Sequence, residues 1–415
     1  MAKKKGAGNE PVYAWIFLPG ETVPVVCGAL FDRGDFHDFG YGRSYLENPD
    51  RIPLDHGEMP LERGLHRSRH EIQGAIRDAA PDAWGRRVLI RRLGMSFERG
   101  DQELRETDYL LGAKGERIGA LHFQADPNEY RAPELAEAPL ADLLRAAELL
   151  EKNEPLPPEL EAAIMHGTSI GGARPKALID DGGTRRLVAK FASTTDLWPV
   201  VRHEALGMNL ASAAGLDVAA TELVSVDGKD VLLVERFDRV REANGHFSRR
   251  HFFSALTALG LSEMQGRYAS YPEFADFLVK YSERPAADCR ELYRRMVLNM
   301  MIGNTDDHAR NHAVFWNGKR CRLTPAYDVC VMRRAGQAGS QAMAVGENGN
   351  RSSLANALTA CGRFGLGGDT ARRIHAELGD LVQDQWRQMA REAGIGPEAM
   401  DQLEGTAILS PGLFE

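Results

Sequence analysis

The chain has 415 residues, 43% hydrophobic and 27% charged, the balance of a soluble globular protein with a large core and room for about two or three domains. A net charge of -8 and a pI near 5.9 argue against a chain that clamps DNA by itself, because neutralising phosphates needs a basic surface. Cys27, Cys289, Cys321, Cys330 and Cys361 lack C-x-x-C spacing, so neither a zinc site nor a disulfide framework is expected. Lys3, Lys4 and Lys5 are followed by no apolar run, and no stretch is apolar enough to span a bilayer, so a cytoplasmic protein without export or membrane contact is expected.

Residues 11–31 hold two β-rich runs split by the turn dipeptide Pro19-Gly20, a hairpin opening a small β-containing domain. Residues 78–89 read as a helix with Pro81 in its first turn and Trp84 in the core. Residues 107–112 read as a helix end, and 115–123 as a turn and a strand. Between Ala125 and Pro158 the chain is acidic and proline-bearing around one amphipathic helix at 141–151, the expected linker. Strands at 176–179 and 186–191 then flank the turn Asp181-Gly-Gly183. A helix from 200 to 214 and strands at 222–226 and 231–235 follow. From about Ser248 the chain is expected to be mostly helical, with a hairpin near Asn317-Gly318 and a helical region after Asp369.

Four stretches in this order carry chemistry. In residues 167–178, Gly171, Gly172 and Ala173 would let backbone amides approach phosphates closely; alone, the stretch is equally a glycine turn between helix and strand. Lys190 ends a hydrophobic strand where a cation would meet the α- and β-phosphates of a nucleotide, and Glu204 on the next helix would orient it; alone, such a lysine is simply solvated. Glu235, Arg236 and Phe237 follow the strand at 231–234, where a hinge would present main-chain groups to adenine.

The fourth stretch is Asn304-Thr-Asp-Asp-His-Ala-Arg-Asn311, with Asp328 beyond a predicted hairpin. Asp306 is a carboxylate able to take a hydroxyl proton. Asn311 and Asp328 are hard oxygen donors of the kind that hold Mg²⁺ beside substrate phosphates. The Asn317-Gly318 turn pairs 312–316 with 319–323 and brings Asn311 and Asp328 towards one end. By itself this stretch also reads as a polar loop, since Asp and Asn suit turns. The order of small-residue loop, strand lysine, helix glutamate, hinge, Asp, Asn and Asp is that of a kinase.

Ala79-Ala-Pro-Asp-Ala-Trp-Gly-Arg86, Asp108-Tyr-Leu-Leu-Gly112, Thr168-Ser-Ile-Gly-Gly-Ala-Arg-Pro-Lys176, Val234-Glu-Arg-Phe-Asp-Arg239, Gly303–Asn311 and Leu323-Thr-Pro-Ala-Tyr-Asp328 together resemble, over nearly the full length, the HipA family of bacterial serine/threonine kinases, the toxins of toxin-antitoxin pairs. The resemblance implies an α+β, HipA-like protein-kinase fold with an N-terminal subdomain (1–125), a helical linker (126–160), a β-rich N-lobe (161–240) and a mostly helical C-lobe (241–415). It implies ATP and Mg²⁺ as cofactors, with Asp306 as general base and Asn311 and Asp328 as metal ligands. Gly171, Gly172, Ala173, Arg174, Pro175, Lys176, Lys190, Glu235, Arg236, Phe237, His308 and Tyr327 would surround the nucleotide. Ser169 aligns with a serine that such kinases autophosphorylate, and the added charge would repel the ATP phosphates.

The implied partners are a small HipB-like helix-turn-helix antitoxin, DNA only through that antitoxin, and a protein substrate such as an aminoacyl-tRNA synthetase. Arg174-Pro175, Asp307 and His251-Phe-Phe253 depart from the type member's pattern, which bears on the substrate more than on activity. A small-molecule kinase of the same fold and a non-catalytic corepressor scaffold are the competing readings.

Overall fold

The computed structural model describes residues 10–113, 115–133, 138–165, 172–334 and 339–415. In chain order its elements are β1 (Val12–Ile16), β2 (Val25–Asp32), β3 (His37–Tyr41), α1 (Arg43–Glu47), β4 (His66–Arg67), α2 (Gly74–Asp78), α3 (Ala83–Arg92), α4 (Phe97–Glu103), α5 (Glu106–Gly112), β5 (Leu121–Gln124), α6 (Leu140–Glu151), α7 (Pro158–Met165), β6 (Lys176–Asp181), β7 (Arg185–Phe191), α8 (Val200–Ala213), β8 (Thr221–Val226) and β9 (Lys229–Glu235). They continue with β10 (Arg239–Arg241), β11 (Phe247–Arg249), β12 (Phe252–Ser254), α9 (Ala255–Ala258), α10 (Tyr271–Tyr281), α11 (Pro285–Met301), β13 (Ala313–Trp316), β14 (Cys321–Leu323), α12 (Leu354–Thr359), α13 (Gly368–Glu392) and α14 (Pro397–Leu403). By internal contacts the chain divides into one unit of Met1–Thr195, Ser225–Phe253 and Trp316–Gly318, and a second of Asp196–Val224, Ser254–Phe315 and Lys319–Glu415.

The first unit is built on sheets. A five-stranded sheet has the order β4-β3-β2-β1-β5, and β1, between β2 and β5, buries Val12, Ala14 and Ile16. A second sheet pairs β6 with β7 and β7 with β9, all antiparallel. The β6–β7 hairpin closes because Gly182 and Gly183 take left-handed backbone, φ 57° and 75°, and the Asp180 carboxylate accepts the Gly183 N–H at 2.7 Å.

The second unit is mostly helical. In α13 the buried residues Ala371, Ile374, His375, Leu378, Val382, Trp386 and Ala390 recur at helical spacing and form one stripe. Helix α10 is capped by the Ser270 hydroxyl accepting the Glu273 N–H, with Tyr271 and Pro272 opening the first turn. Helix α11 begins at Pro285 and ends before Gly303, which has φ +70° and lies where a Cβ would come within 2.4 Å of the Met332 carbonyl oxygen. Only glycine fits there, so the chain leaves the helix at that point and delivers Asn304 and the loop behind it.

Most predicted elements are present within a few residues, and two differ in an instructive way. Pro81 lies outside α3, whose N-cap is Asp82. The turn and strand read in 115–123 are both present, the strand as β5 from Leu121 to Gln124, and the turn before it carries Glu116 into a buried cluster of charges. Helix α8, read from sequence with the β-rich lobe, groups with the helical unit.

Candidate active site

Register places the two cations of the candidate phosphate site. Lys176 on β6 and Lys190 on β7 are direct cross-strand partners, and Lys190 is likewise opposite Leu232 on β9. Directly opposed residues point to one face of a sheet, so this face carries Lys176, Lys190, Leu178, Val188, Leu232 and Val234. Lys176 is buried and folds back on the loop before it. A Cβ on Gly172, whose φ is +115°, would sit 2.0 Å from the Lys176 ammonium nitrogen.

Helix α3 braces this end of the strand. The indole N–H of Trp84 donates to the Lys176 carbonyl at 3.1 Å and the Trp84 amide to the Gly172 carbonyl at 3.4 Å. Sequence reasoning assigned Trp84 only to the core, and its bond across 92 positions had no local signal. Ala173 is exposed, Arg174 half-buried, and Pro175 buried, with its carbonyl accepting the Phe191 N–H at 3.0 Å. Gly171 and Ser169 lie outside the described residues.

The hinge candidates behave differently from one another. Glu235 ends β9 opposite Leu187, and the Phe237 ring lies 5.9 Å from that of Phe252. The Arg236 backbone N–H donates to the Arg186 carbonyl at 2.8 Å, and its guanidinium is committed to Asp238 at 2.8 Å and Glu116 at 3.2 Å. The same two carboxylates hold Arg239, Asp238 at 2.9 Å and Glu116 at 3.2 Å, and Glu116 also holds Arg249 at 3.3 Å. The Asp238 carboxylate further accepts the Gly119 N–H at 2.7 Å. Burial would raise the Glu116 carboxyl, but Arg239, Arg236 and Arg249 outweigh it and hold the group at about 2.

In the helical unit, Asp306 is exposed while the adjacent Asp307 is buried. A single oxygen of Asp307 accepts from the Tyr271 hydroxyl, the Asn299 amide at 2.6 Å and His312 Nε2 at 3.0 Å. Burial raises the Asp307 carboxyl, yet His312 and the Tyr271 hydroxyl overcome it and hold the group below the ordinary carboxylate range. The Asp306 and His308 carbonyls accept the His308 and Asn311 amides, each at 2.8 Å. The Asn311 side-chain amide donates to the Asp306 carbonyl at 3.3 Å. With its nitrogen used inside the loop, Asn311 has its oxygen left for other work. Asn299, Asp307, Asn311, His312 and Tyr327 line one cleft.

Asp328 has φ +57°, a left-handed conformation uncommon for a residue other than glycine and one that asparagine and aspartate tolerate best. Its segment is held from three sides. The Tyr327 hydroxyl donates to the Arg310 carbonyl at 2.7 Å, so this side chain, expected at the nucleotide, ties the turn to the loop. Ala219 and Ala326 bond across a parallel bridge at 2.9 Å. Helix α8 meets residues 329–330 at Gly207, where a Cβ would fall 2.2 Å from the Val329 carbonyl oxygen. Glu204 is buried on the same helix.

Asn311 and Asp328 offer oxygen donors only, which fits Mg²⁺ and not zinc. No group of three or more His, Cys, Asp or Glu able to hold a metal occurs among the described residues, and a Mg²⁺ that takes most of its ligands from phosphate and water needs none. Among the described residues no helix is long and apolar enough to cross a membrane.

Comparison with known proteins places this geometry in a family. Y4mE of Sinorhizobium fredii, a protein carried as a candidate kinase, is 28% identical over 383 residues, covering 88% of this chain and 82% of its own. The serine/threonine-protein kinase toxin HipA of Shewanella oneidensis is 26% identical over 287 residues, 63% of each chain. The Shewanella HipA structure solved with HipB and operator DNA superposes with a TM-score of 0.65 at 19% identity, over 91% of this chain and 92% of that one, which establishes the HipA kinase fold. The HipA-like C-terminal domain family matches residues 168–386, just over half of the sequence, and the chain belongs to that family.

Proposed function

We propose that the protein is an ATP- and Mg²⁺-dependent serine/threonine protein kinase acting as the toxin of a toxin-antitoxin pair. The observation that carries this reading is the contrast within one loop: Asp306 exposed, Asp307 buried beneath it, and Asn311 fixed by its own amide. Family membership and the kinase names of the relatives support it. Asp306 accepts the proton of the attacking hydroxyl, a role worth about 10²–10⁴-fold in rate. Asn311 and Asp328 hold Mg²⁺, which when bound neutralises charge on the phosphates. Lys176 and Lys190 bind those phosphates, and Ser169 is the autophosphorylated residue.

By the same family membership the substrate is a cytoplasmic protein, in the class of an aminoacyl-tRNA synthetase. A HipB-like helix-turn-helix protein is the antitoxin, and DNA is reached through it; the relative solved with HipB and operator DNA motivates this partner.

The test is phosphoproteomics after induction of the wild type and of Asp306→Asn, together with phosphate transfer from ATP by the purified proteins. A phosphoprotein present only with the wild type, and growth arrest only with the wild type, are expected. If both proteins transfer nothing and neither slows growth, the kinase reading is lost. A phosphorylated metabolite without a phosphoprotein would instead establish the small-molecule reading.

A further inference from the structure

We propose that Asp307 is a positioning residue that holds both the candidate catalytic loop and the candidate metal-ligand turn; this rests on the roles assigned above to Asp306, Asn311 and Asp328. Three donors from three separate elements converge on one Asp307 oxygen: Tyr271 from the first turn of α10, Asn299 from the last turn of α11, and His312 from the entry to β13. Charge-assisted bonds of this kind are about twice as strong as neutral ones, and a buried carboxylate is tolerable only when so satisfied. The loop cannot turn over without leaving these donors unpaired.

The anchorage does not stop at the loop. Asn299 uses its amide nitrogen on Asp307 and its oxygen to accept the Asn304 amide at 3.0 Å. Asn304 in turn donates to the backbone carbonyl of Asp328 at 3.4 Å, and its own carbonyl accepts Gln341 at 2.8 Å. A continuous chain of bonds therefore runs from the Asp307 carboxylate to the residue that carries the left-handed turn. All of its members are buried except Asp328, which is half-buried. Asp307 reaches neither nucleotide nor metal in this role; it acts through Asp306 on one side and Asp328 on the other.

The experiment compares wild type, Asp307→Asn and Tyr271→Phe, the second removing one donor without touching the charge, alongside Asp306→Asn. Three readouts are taken: kcat and KM for ATP, the Mg²⁺ concentration at half-maximal rate, and amide hydrogen exchange across residues 304–311 and 326–331. Asp307→Asn is expected to lose about 10- to 100-fold in kcat, the usual cost of losing an orienting partner, and to need more Mg²⁺, with KM for ATP nearly unchanged. Protection is expected to fall in both segments while the α11 core stays protected. Tyr271→Phe shows the same pattern more weakly.

A merely structural role would lower the melting temperature and all parameters together. Wild-type kcat, Mg²⁺ dependence and loop protection in folded Asp307→Asn and Tyr271→Phe would overturn the proposal. If wild type and Asp306→Asn are both inactive, the kinase reading fails by itself, and the exchange data still decide whether Asp307 holds the two segments.

Discussion

Lys176 and Lys190 face each other directly across the β6–β7 pair, two cations in one register position of an antiparallel sheet. Like charges so placed repel by roughly 0.2–1 kcal/mol, and a shared polyanion removes that cost. Lys190→Met removes one of these two opposed cations. It should weaken binding of ATP by about 10- to 100-fold, the value of one charged hydrogen bond of about 1.5–3 kcal/mol. Thermal melts with and without Mg²⁺-ATP check this: the nucleotide-induced rise should shrink in Lys190→Met, and an equal rise in both proteins would remove Lys190 from the phosphate site.

Gly172 controls where the Lys176 ammonium can lie. Its φ of +115° and the 2.0 Å approach of Lys176 Nζ to a would-be Cβ make Gly172→Ala doubly unfavourable. The backbone cost alone is about 1–2 kcal/mol. The displaced ammonium should weaken nucleotide binding beyond the stability loss, measured by calorimetric titration at a temperature where the variant is fully folded. Wild-type affinity in that variant would mean that Lys176 does not reach the ligand.

What the sequence made legible was local. Asn317-Gly318 announced its hairpin, because turn chemistry is written in adjacent residues, and the five-residue step from Asp306 to Asn311 marked the loop on which the proposed metal chemistry rests. The supports of that loop were not legible. Tyr271 meets Asp307 across 36 positions, and Arg236 meets Glu116 across 120. A single sequence holds no periodicity that pairs residues so far apart. The adjacent Asp306-Asp307 with His312 five residues on was the one available sign that one carboxylate is turned inward. Arg236 was read for its position after a strand, whereas its charge, beside Asp238 and Arg239, marked it for burial in an ion cluster.

That cluster predicts an acid-sensitive stability. The Glu116 carboxyl is held near 2 against an ordinary 4.5, so its contribution is complete above about pH 4.5 and is lost as pH falls towards 2. At about 1.4 kcal/mol per unit, the shift of Glu116 from 4.5 to about 2 corresponds to roughly 3 kcal/mol. Glu116→Gln leaves Arg236 and Arg239 with Asp238 as their carboxylate and removes the carboxylate that holds Arg249, and breaking a buried pair costs about 3–5 kcal/mol at neutral pH. Urea unfolding of both proteins from pH 7 to pH 3 should show the wild type falling towards the variant as the acid limit is approached. Parallel curves would show that Glu116 keeps an ordinary pKa.

The last prediction concerns the contact between α8 and the segment that follows Asp328. In α8 a Cβ on Gly207 would lie 2.2 Å from the Val329 oxygen, 2.8 Å from the Val329 carbonyl carbon and 3.2 Å from the Cys330 Cα, all backbone atoms with no flexible end to yield. Gly207→Ala should cost about 1–3 kcal/mol by overpacking, against a helix-propensity gain of about 1 kcal/mol. The displaced segment carries Asp328, so the Mg²⁺ needed for half-maximal phosphate transfer should rise. Gly379→Ala is the matched control, because a Cβ there meets only Met301 Cε at 3.8 Å within α13; it should raise stability by about 0.5–1 kcal/mol and leave the Mg²⁺ dependence alone. Equal, stabilising effects of the two substitutions would show that α8 does not press on the Asp328 segment, and with it that the left-handed turn is held by its hydrogen bonds alone.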